Sequence, residues 1–265
     1  MRTKIITDSV KGKNFEMDYC RFGNGKRVMV LLPGISLLPV VPNGEFVAMQ
    51  YHLFHDDYTV YLFDRKRDFG ENYNVEAMAD DTAEAMQLLG IEKACVMGCS
   101  QGGMMTLFLA AKYPEMVEKA ALCCTAACAD DCNAETMQRM LEIAKTGDVQ
   151  ALNHAFFEAI YSEPFREKNA QALKVAEQIG TEEDLPHFVK LANACMNYDA
   201  RPLLPQIKCD CLVLGSAIDK VIKPEASQRL VDALGCESYI YTEYAHAAFD
   251  EAPDFKARVL EFFGK

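Results

Sequence analysis

Short, uninterrupted apolar runs recur along the chain, and stretches with helical periodicity separate them. Such runs are typical of parallel strands in a sheet that helices cover on both faces. Two weaker stretches at the start, 4–7 and 15–20, alternate between apolar and polar positions and predict an antiparallel edge. The six stronger runs predict strands at 28–32, 58–63, 94–97, 120–124, 211–214 and 238–241. The pattern therefore predicts an α/β fold with a mostly parallel central sheet flanked by helices.

Helical patterns fill the segments between these strands. Residues 75–89 repeat apolar side chains on one helical face, and Gly90 then favours an end to the helix. The run 101–112 is apolar nearly all round, which predicts a helix buried against the sheet. Residues 94–111 carry no charge, but a Gly-Cys-Ser-Gln-Gly-Gly segment interrupts them. A strand followed by a buried helix therefore fits this region better than a membrane span.

The alternation of strands and helices stops in the second half of the chain. Between residues 128 and 201 four helical patterns follow one another without a strand, at 135–145, 149–160, 167–178 and 185–196. An independent helical domain is one interpretation, but the parallel strand pattern resumes at residue 211. We therefore expect an α/β core formed by residues 1–127 and 202–265, with residues 128–201 inserted as an all-helical lid.

Composition limits the partners and the compartment. The chain has 265 residues and a formal net charge of −12, without a basic cluster. This balance argues against binding to nucleic acid or to an anionic membrane surface. The eleven cysteines are an odd number in a chain whose start lacks a signal-peptide pattern. We expect a cytoplasmic protein whose thiols are mostly small core residues, with neither a metal site nor a cofactor.

A serine lies at the point where a predicted strand turns into a buried helix. Gly98, Ser100 and Gly102 form a G-x-S-x-G pattern there. A sharp turn of this kind exposes the middle side chain, and small neighbours relieve the crowding. The helix that follows directs free N–H groups towards this side chain. The pattern favours Ser100 as a nucleophile, and a glycine turn that serves only packing is the alternative interpretation.

A serine nucleophile needs a base and a group that orients the base. Of the five histidines, His246 follows the last predicted strand, at the sheet edge where Ser100 also lies. Asp219 follows the strand 211–214 by a few residues and is the favoured orienting acid. Asp130 stays open as an alternative acid after the preceding strand.

These motifs resemble those of the α/β-hydrolase family, and the resemblance covers nearly the whole chain. It is carried by Leu31-Leu32-Pro33-Gly34, Asp64-Arg65, G-C-S-Q-G-G, the strand C-L-V-L-G-S-A-I-D and the His246 loop. The chain departs from the family pattern at two positions. Pro33 stands where a histidine is common, and Ala245 stands where a glycine is common. The resemblance implies a Ser100, His246 and Asp219 triad and an oxyanion hole formed by the backbone N–H groups of Ile35 and Gln101.

The resemblance further implies acyl transfer through a covalent ester on Ser100. The leading hypothesis is a carboxylesterase for a small-molecule ester. An apolar loop and the predicted lid suggest a pocket for small or medium apolar acyl groups, with Leu37, Leu38, Met104, Phe156 and Phe157 as candidate lining residues. The same triad also serves C–C bond hydrolysis, amide cleavage or acyl transfer. A binding protein without turnover is the hypothesis from another class.

Overall fold

The computed structural model describes residues 4–265 and is built around one eight-stranded sheet. The strands are β1 (Ile6–Lys11), β2 (Glu16–Phe22), β3 (Arg27–Leu32), β4 (Tyr58–Lys66), β5 (Ala94–Cys99), β6 (Val117–Cys123), β7 (Asp210–Ser216) and β8 (Glu237–Tyr241). Their order in the sheet is β1-β2-β4-β3-β5-β6-β7-β8. β2 pairs antiparallel with β1 and with β4, and the other neighbours are parallel. The predicted mostly parallel sheet with an antiparallel edge is confirmed.

Eleven α-helices connect and cover these strands in the described part of the chain. They are α1 (Gly44–Gln50), α2 (Val75–Leu88), α3 (Gln101–Lys112), α4 (Ala134–Lys145), α5 (Val149–Ile160), α6 (Glu163–Lys168), α7 (Ala170–Ala176), α8 (Leu185–Cys195), α9 (Glu225–Leu234), α10 (Ala248–Glu251) and α11 (Phe255–Gly264). The single helix predicted at 167–178 is wrong, because α6 and α7 are separated at Asn169. The Asn169 side chain donates a hydrogen bond to Phe165 O at 2.9 Å and so ends α6.

The six strands β2 to β7 each contribute to two separate apolar cores, one on each face of the sheet. In β3, Val30 and Leu32 join the core that contains residues of α2 and α3. Met29 and Leu31 join the core on the opposite face, which contains Phe263 of α11. This alternation follows from the two-residue period of a strand, and burial on both faces explains why the strands are apolar throughout.

The helices α4 to α8 lie between β6 and β7, in the region that sequence patterns predict as an insertion. The two ends of this region are adjacent in space. Cys128 forms an isolated antiparallel bridge with Asp199, and Ala200 N donates to Ala127 O at 2.8 Å. The chain therefore leaves the sheet and returns to it at nearly the same point.

The uncharged run at 94–111 forms the strand β5 and the helix α3, as the glycine-rich interruption predicts. None of the helices within residues 4–265 has the length and apolar character needed to cross a membrane.

The cysteines are all free, and nine of the eleven are buried; Cys209 and Cys236 are partly exposed. In β5, Cys95 and Cys99 occupy core positions beside Met97. The thiols act there as small apolar side chains that fit where the sheet faces its helices.

We predict that Gly102→Ala lowers the free energy of unfolding by about 1–3 kcal/mol. A Cβ at Gly102 would lie 2.0 Å from Leu32 O, so α3 would have to move away from β3. Gly70→Ala is the matched control, since a Cβ there meets nothing within 4 Å. Urea unfolding of the two variants measures the difference, and equal stabilities would contradict the prediction.

Candidate active site

Ser100 joins β5 to α3 in a strained backbone conformation. Its φ is 53° and its ψ is −119°, a combination that is costly for a residue with a side chain. The surrounding chain holds it there: Ser100 N donates to Cys123 O at 2.9 Å, and Thr125 Oγ1 donates to Ser100 O at 2.7 Å. At Gly98, a Cβ would come within 2.3 Å of Thr106 Oγ1. The turn therefore depends on glycine for close packing, and it places the Ser100 side chain at the carboxyl edge of the sheet.

The loop that follows β3 passes directly beside Ser100. A Cβ at Gly34 would lie 3.1 Å from Ser100 Cβ, so only a very small residue allows this approach. Within residues 4–265, the backbone N–H groups of Ile35 and Gln101 donate to no protein acceptor. These two N–H groups are the ones predicted for an oxyanion hole, and that role stays a prediction.

His246 and Asp219 form a buried pair. His246 Nδ1 lies 2.7 Å from Asp219 Oδ2. The other carboxylate oxygen of Asp219 accepts hydrogen bonds from Val221 N at 2.8 Å and Ile222 N at 2.9 Å. Among the described residues, the contact with Asp219 is the one hydrogen bond of the His246 ring. His246 lines the same cavity as Ser100. The geometry leaves Nε2 of His246 to exchange a proton with a group in that cavity.

Asp130, the alternative acid, lies away from this pair. Its side chain is 80% exposed and faces Arg201, with an Nη1–Oδ2 distance of 3.6 Å. It belongs to a short 3₁₀ turn after β6, which directs the carboxylate to the surface. The geometry therefore favours Asp219 over Asp130 as the partner of His246.

The other four histidines are engaged elsewhere or lie on the surface. His154 Nδ1 is 2.7 Å from Glu177, and the ring of His187 packs 5.2 Å from that of Phe69. His52 is exposed, and His55 is partly buried with its ring 5.4 Å from that of Phe22. None of the four lines the cavity that Ser100 and His246 share in the described chain.

That cavity has a volume of about 360 Å³ and mostly apolar walls. The loop after β3 contributes Ile35, and α1 contributes Phe46 and Val47. On the side of the inserted helices, Phe156 and Ile160 of α5 close the wall. The volume falls within the range of small-molecule sites, which are typically apolar with a few polar groups.

Of the five predicted pocket residues, Phe156 lines this cavity in the described chain, and Leu37, Leu38, Met104 and Phe157 lie outside its wall. Met104 is buried in the core between α3 and its neighbours. Ser36 and Val40 of the loop after β3 also line the cavity, whereas Leu37 packs beside Gly180 and Leu38 is absent from the wall. Phe157 lies one position further along α5, so it points to a different side of the helix and packs near Tyr161.

Sequence patterns missed a carboxylate in this wall. Asp250 is exposed and lines the cavity together with Phe249. Surrounding protein limits the hydration of the charged form and raises the pKa of Asp250 to about 6, although the nearby charge of Lys256 acts in the opposite direction. The spacing of four residues from His246 was the available signal, since it keeps Asp250 close to the histidine in space.

Comparison with known proteins gives a family and several relatives. A family model described as "alpha/beta hydrolase fold" matches residues 27–253. A putative carbamate hydrolase RutD of Rhizobium rhizogenes is 25% identical over 234 residues, which cover 83% of this chain and 88% of that protein. The human serine hydrolase BPHL is 24% identical over 231 residues, covering 83% of this chain and 72% of its own length.

Solved structures show the same fold. The enol-lactonase of Burkholderia xenovorans superposes with a TM-score of 0.83 at 22% sequence identity. The match covers 97% of this chain and 100% of that one. The similarity therefore extends over the sheet and the helices inserted between β6 and β7.

We predict that Asp250→Asn gains stability relative to the unchanged protein as the pH rises from about 4 to about 7.5. Folding raises the pKa of Asp250 to about 6, so the folded chain holds this proton more tightly than the unfolded chain does. In the unchanged protein, the contribution of the Asp250 proton to stability is complete below the unfolded pKa of about 3.9. This contribution is lost as the pH rises through the pKa of the folded protein. Urea unfolding of both proteins at the two pH values measures this, and a constant difference would contradict it.

Proposed function

Because the chain belongs to the alpha/beta hydrolase fold family, we propose that this hydrolase uses a serine nucleophile to cleave carboxylic esters with small or medium apolar acyl groups. One observation carries the proposal. Ser100, held in a left-handed turn, shares an apolar cavity with His246, which is paired at 2.7 Å with Asp219. A nucleophile, a base and a group that orients the base are the parts that acyl transfer requires.

In the proposed mechanism, His246 takes the proton of Ser100 as Oγ attacks the ester carbonyl. Asp219 holds the imidazole with Nδ1–H towards the carboxylate and stabilises the cation that forms. The backbone N–H groups of Ile35 and Gln101 stabilise the negative oxygen of the tetrahedral intermediate. His246 then gives its proton to the leaving alcohol, and water activated by the same residue releases the acid from the acyl-enzyme.

Residues 128–201 act in this proposal as a cap over the site. Phe156 and Ile160 of α5 form part of the cavity wall, so the inserted helices limit the size of the acyl group. The cavity volume of about 360 Å³ supports small or medium acyl groups. Asp250 adds one polar position to a site that is otherwise suited to apolar substrates.

Carbamate hydrolysis is the second candidate, and the names of the relatives favour it. The relative from Rhizobium rhizogenes is named a putative carbamate hydrolase. A carbamate presents a carbonyl to the serine as an ester does, so selection between the two lies in the pocket and not in the triad. A matched pair of nitrophenyl ester and nitrophenyl carbamate separates the two candidates by their kcat/KM values.

We predict that the protein releases a burst of nitrophenol from a short-chain nitrophenyl ester and that Ser100→Ala abolishes it. Without the hydroxyl, no acyl-enzyme forms. Cys99→Ala is the control, because this change removes the neighbouring thiol and leaves the serine, so the burst should persist. Stopped-flow absorbance and mass spectrometry of the acylated protein measure the outcome. An intact ester after prolonged incubation would favour a binding protein without turnover.

We further predict that Asp219→Asn lowers kcat by about 10⁴-fold, because the histidine then adopts the wrong tautomer. Asp130→Asn is the matched control: it removes a carboxylate of the same size from an exposed position and should leave kcat nearly unchanged. Steady-state kinetics with one ester compares the two variants. A large loss in Asp130→Asn with little loss in Asp219→Asn would reverse the assignment.

A further inference from the structure

Two adjacent residues at the end of β4 bind both ends of the loop that passes Ser100. The Asp64 carboxylate accepts hydrogen bonds from Val40 N at 2.7 Å and Val41 N at 2.9 Å, where the loop ends. Arg65 Nη2 donates to Pro33 O at 2.8 Å, where the loop begins. The path of the loop is therefore determined by a neighbouring strand as well as by its own residues.

The same guanidinium group also binds the residue that follows Ser100. Gln101 Oε1 accepts hydrogen bonds from Arg65 Nη2 at 2.9 Å and from Nε at 3.2 Å. Gln101 Nε2 in turn donates to Leu191 O at 2.8 Å and to Cys195 Sγ at 3.2 Å, both in α8. Arg65 thus connects the loop after β3, the first turn of α3 and the inserted helices.

This arrangement places a positive charge in the interior without a directly bonded carboxylate. Arg65 and Gln101 are buried, and burial lowers the pKa of the arginine. In the described part of the chain, all hydrogen bonds of Arg65 go to neutral oxygens. Burying a cation with such partners is costly. Filling of the core does not explain an arginine at position 65, since an apolar side chain would fill the same space at a lower free-energy cost.

We propose that Arg65 is a positioning residue that sets the distance between the two N–H groups of the oxyanion hole. This inference rests on the proposed function. Pro33 O belongs to the peptide immediately before the one that carries the Ile35 N–H, and Gln101 carries the second donor. A donor stabilises the oxyanion only at about 2.7–3.1 Å, so fixing both segments with one rigid group preserves catalytic geometry.

The planar guanidinium is suited to this role. It presents donors in a rigid fork and reaches Pro33 O and Gln101 Oε1 at the same time. A lysine has a flexible stem with one nitrogen and lacks the rigid fork. Arg65→Lys should therefore restore only part of the activity that Arg65→Met loses.

The test compares Arg65→Met and Arg65→Lys with Arg67→Met. Arg67 lies two residues further along, is about half exposed, and forms ion pairs with Glu16 and Asp18 of β2. This control removes the same charge near the same strand without touching the oxyanion loop. For a nitrophenyl ester we expect Arg65→Met to lower kcat by about tenfold to about 100-fold with little change in KM. Arg67→Met should stay within about twofold.

Two further readouts separate positioning from a general loss of structure. Each rate is divided by the concentration of Ser100 that reacts with a fluorophosphonate, so misfolded protein does not enter the comparison of kcat values. A trifluoromethyl ketone, which forms an oxyanion on the serine, should lose affinity in Arg65→Met by the same factor as kcat/KM. The affinity for the matched methyl carbinol, which cannot form an oxyanion, should stay constant.

The possible failures are distinct. If the unchanged protein neither hydrolyses esters nor reacts with the fluorophosphonate, the proposed function is wrong and this inference falls with it. If the unchanged protein is active and Arg65→Met matches Arg67→Met per titrated serine, the inference alone is overturned. An equal loss of affinity for the ketone and the carbinol would also overturn it.

Discussion

The left-handed backbone at Ser100 is the constraint around which the site is organised. A positive φ at a serine persists only where neighbouring chain holds it, and here β6 and the loop after it supply the hydrogen bonds. The same turn brings α3 so close to β3 that Gly102 meets Leu32 O. Since β3 and β5 are parallel neighbours, the loop after β3 then emerges beside the serine. One strained turn thereby places the hydroxyl and the N–H groups together.

The cavity around this turn is mostly apolar, which affects the chemistry as well as the binding. Apolar walls exclude water, so the backbone N–H groups and the imidazole act in surroundings of low polarity, where their interactions are stronger. Asp250 is the one acidic side chain in the wall among the described residues. The protein around this exposed carboxylate raises its pKa to about 6.

The inserted helices contact the site in two ways. Phe156 and Ile160 of α5 form part of the wall, whereas α8 accepts hydrogen bonds from the side chain that follows Ser100. The wall can change with the inserted sequence without altering the triad geometry, and this division is how one fold supports many substrates. The α8 contact is different, because it reaches the oxyanion side through Gln101. Changes in α8 are thus expected to act on rate as well as on selectivity.

From the sequence alone, the strands along the chain, the strand-to-helix turn at Ser100 and His246 as the candidate base could be predicted. These features depend on local signals, namely the two-residue period of strands, helical periodicity, and glycines on both sides of a serine. The tertiary structure added that Asp219 contacts His246 while Asp130 lies at the surface, and that Phe156 lines the cavity while Phe157 does not. It also showed a helix break at Asn169 and the positions of Asp250 and Arg65 near the site. Those outcomes depend on where loops turn beyond the sheet edge and which side of a helix faces a distant segment. Contacts between residues far apart in the chain decide most of these outcomes, whereas the helix break at Asn169 and the position of Asp250 depend on residues only four apart in the chain.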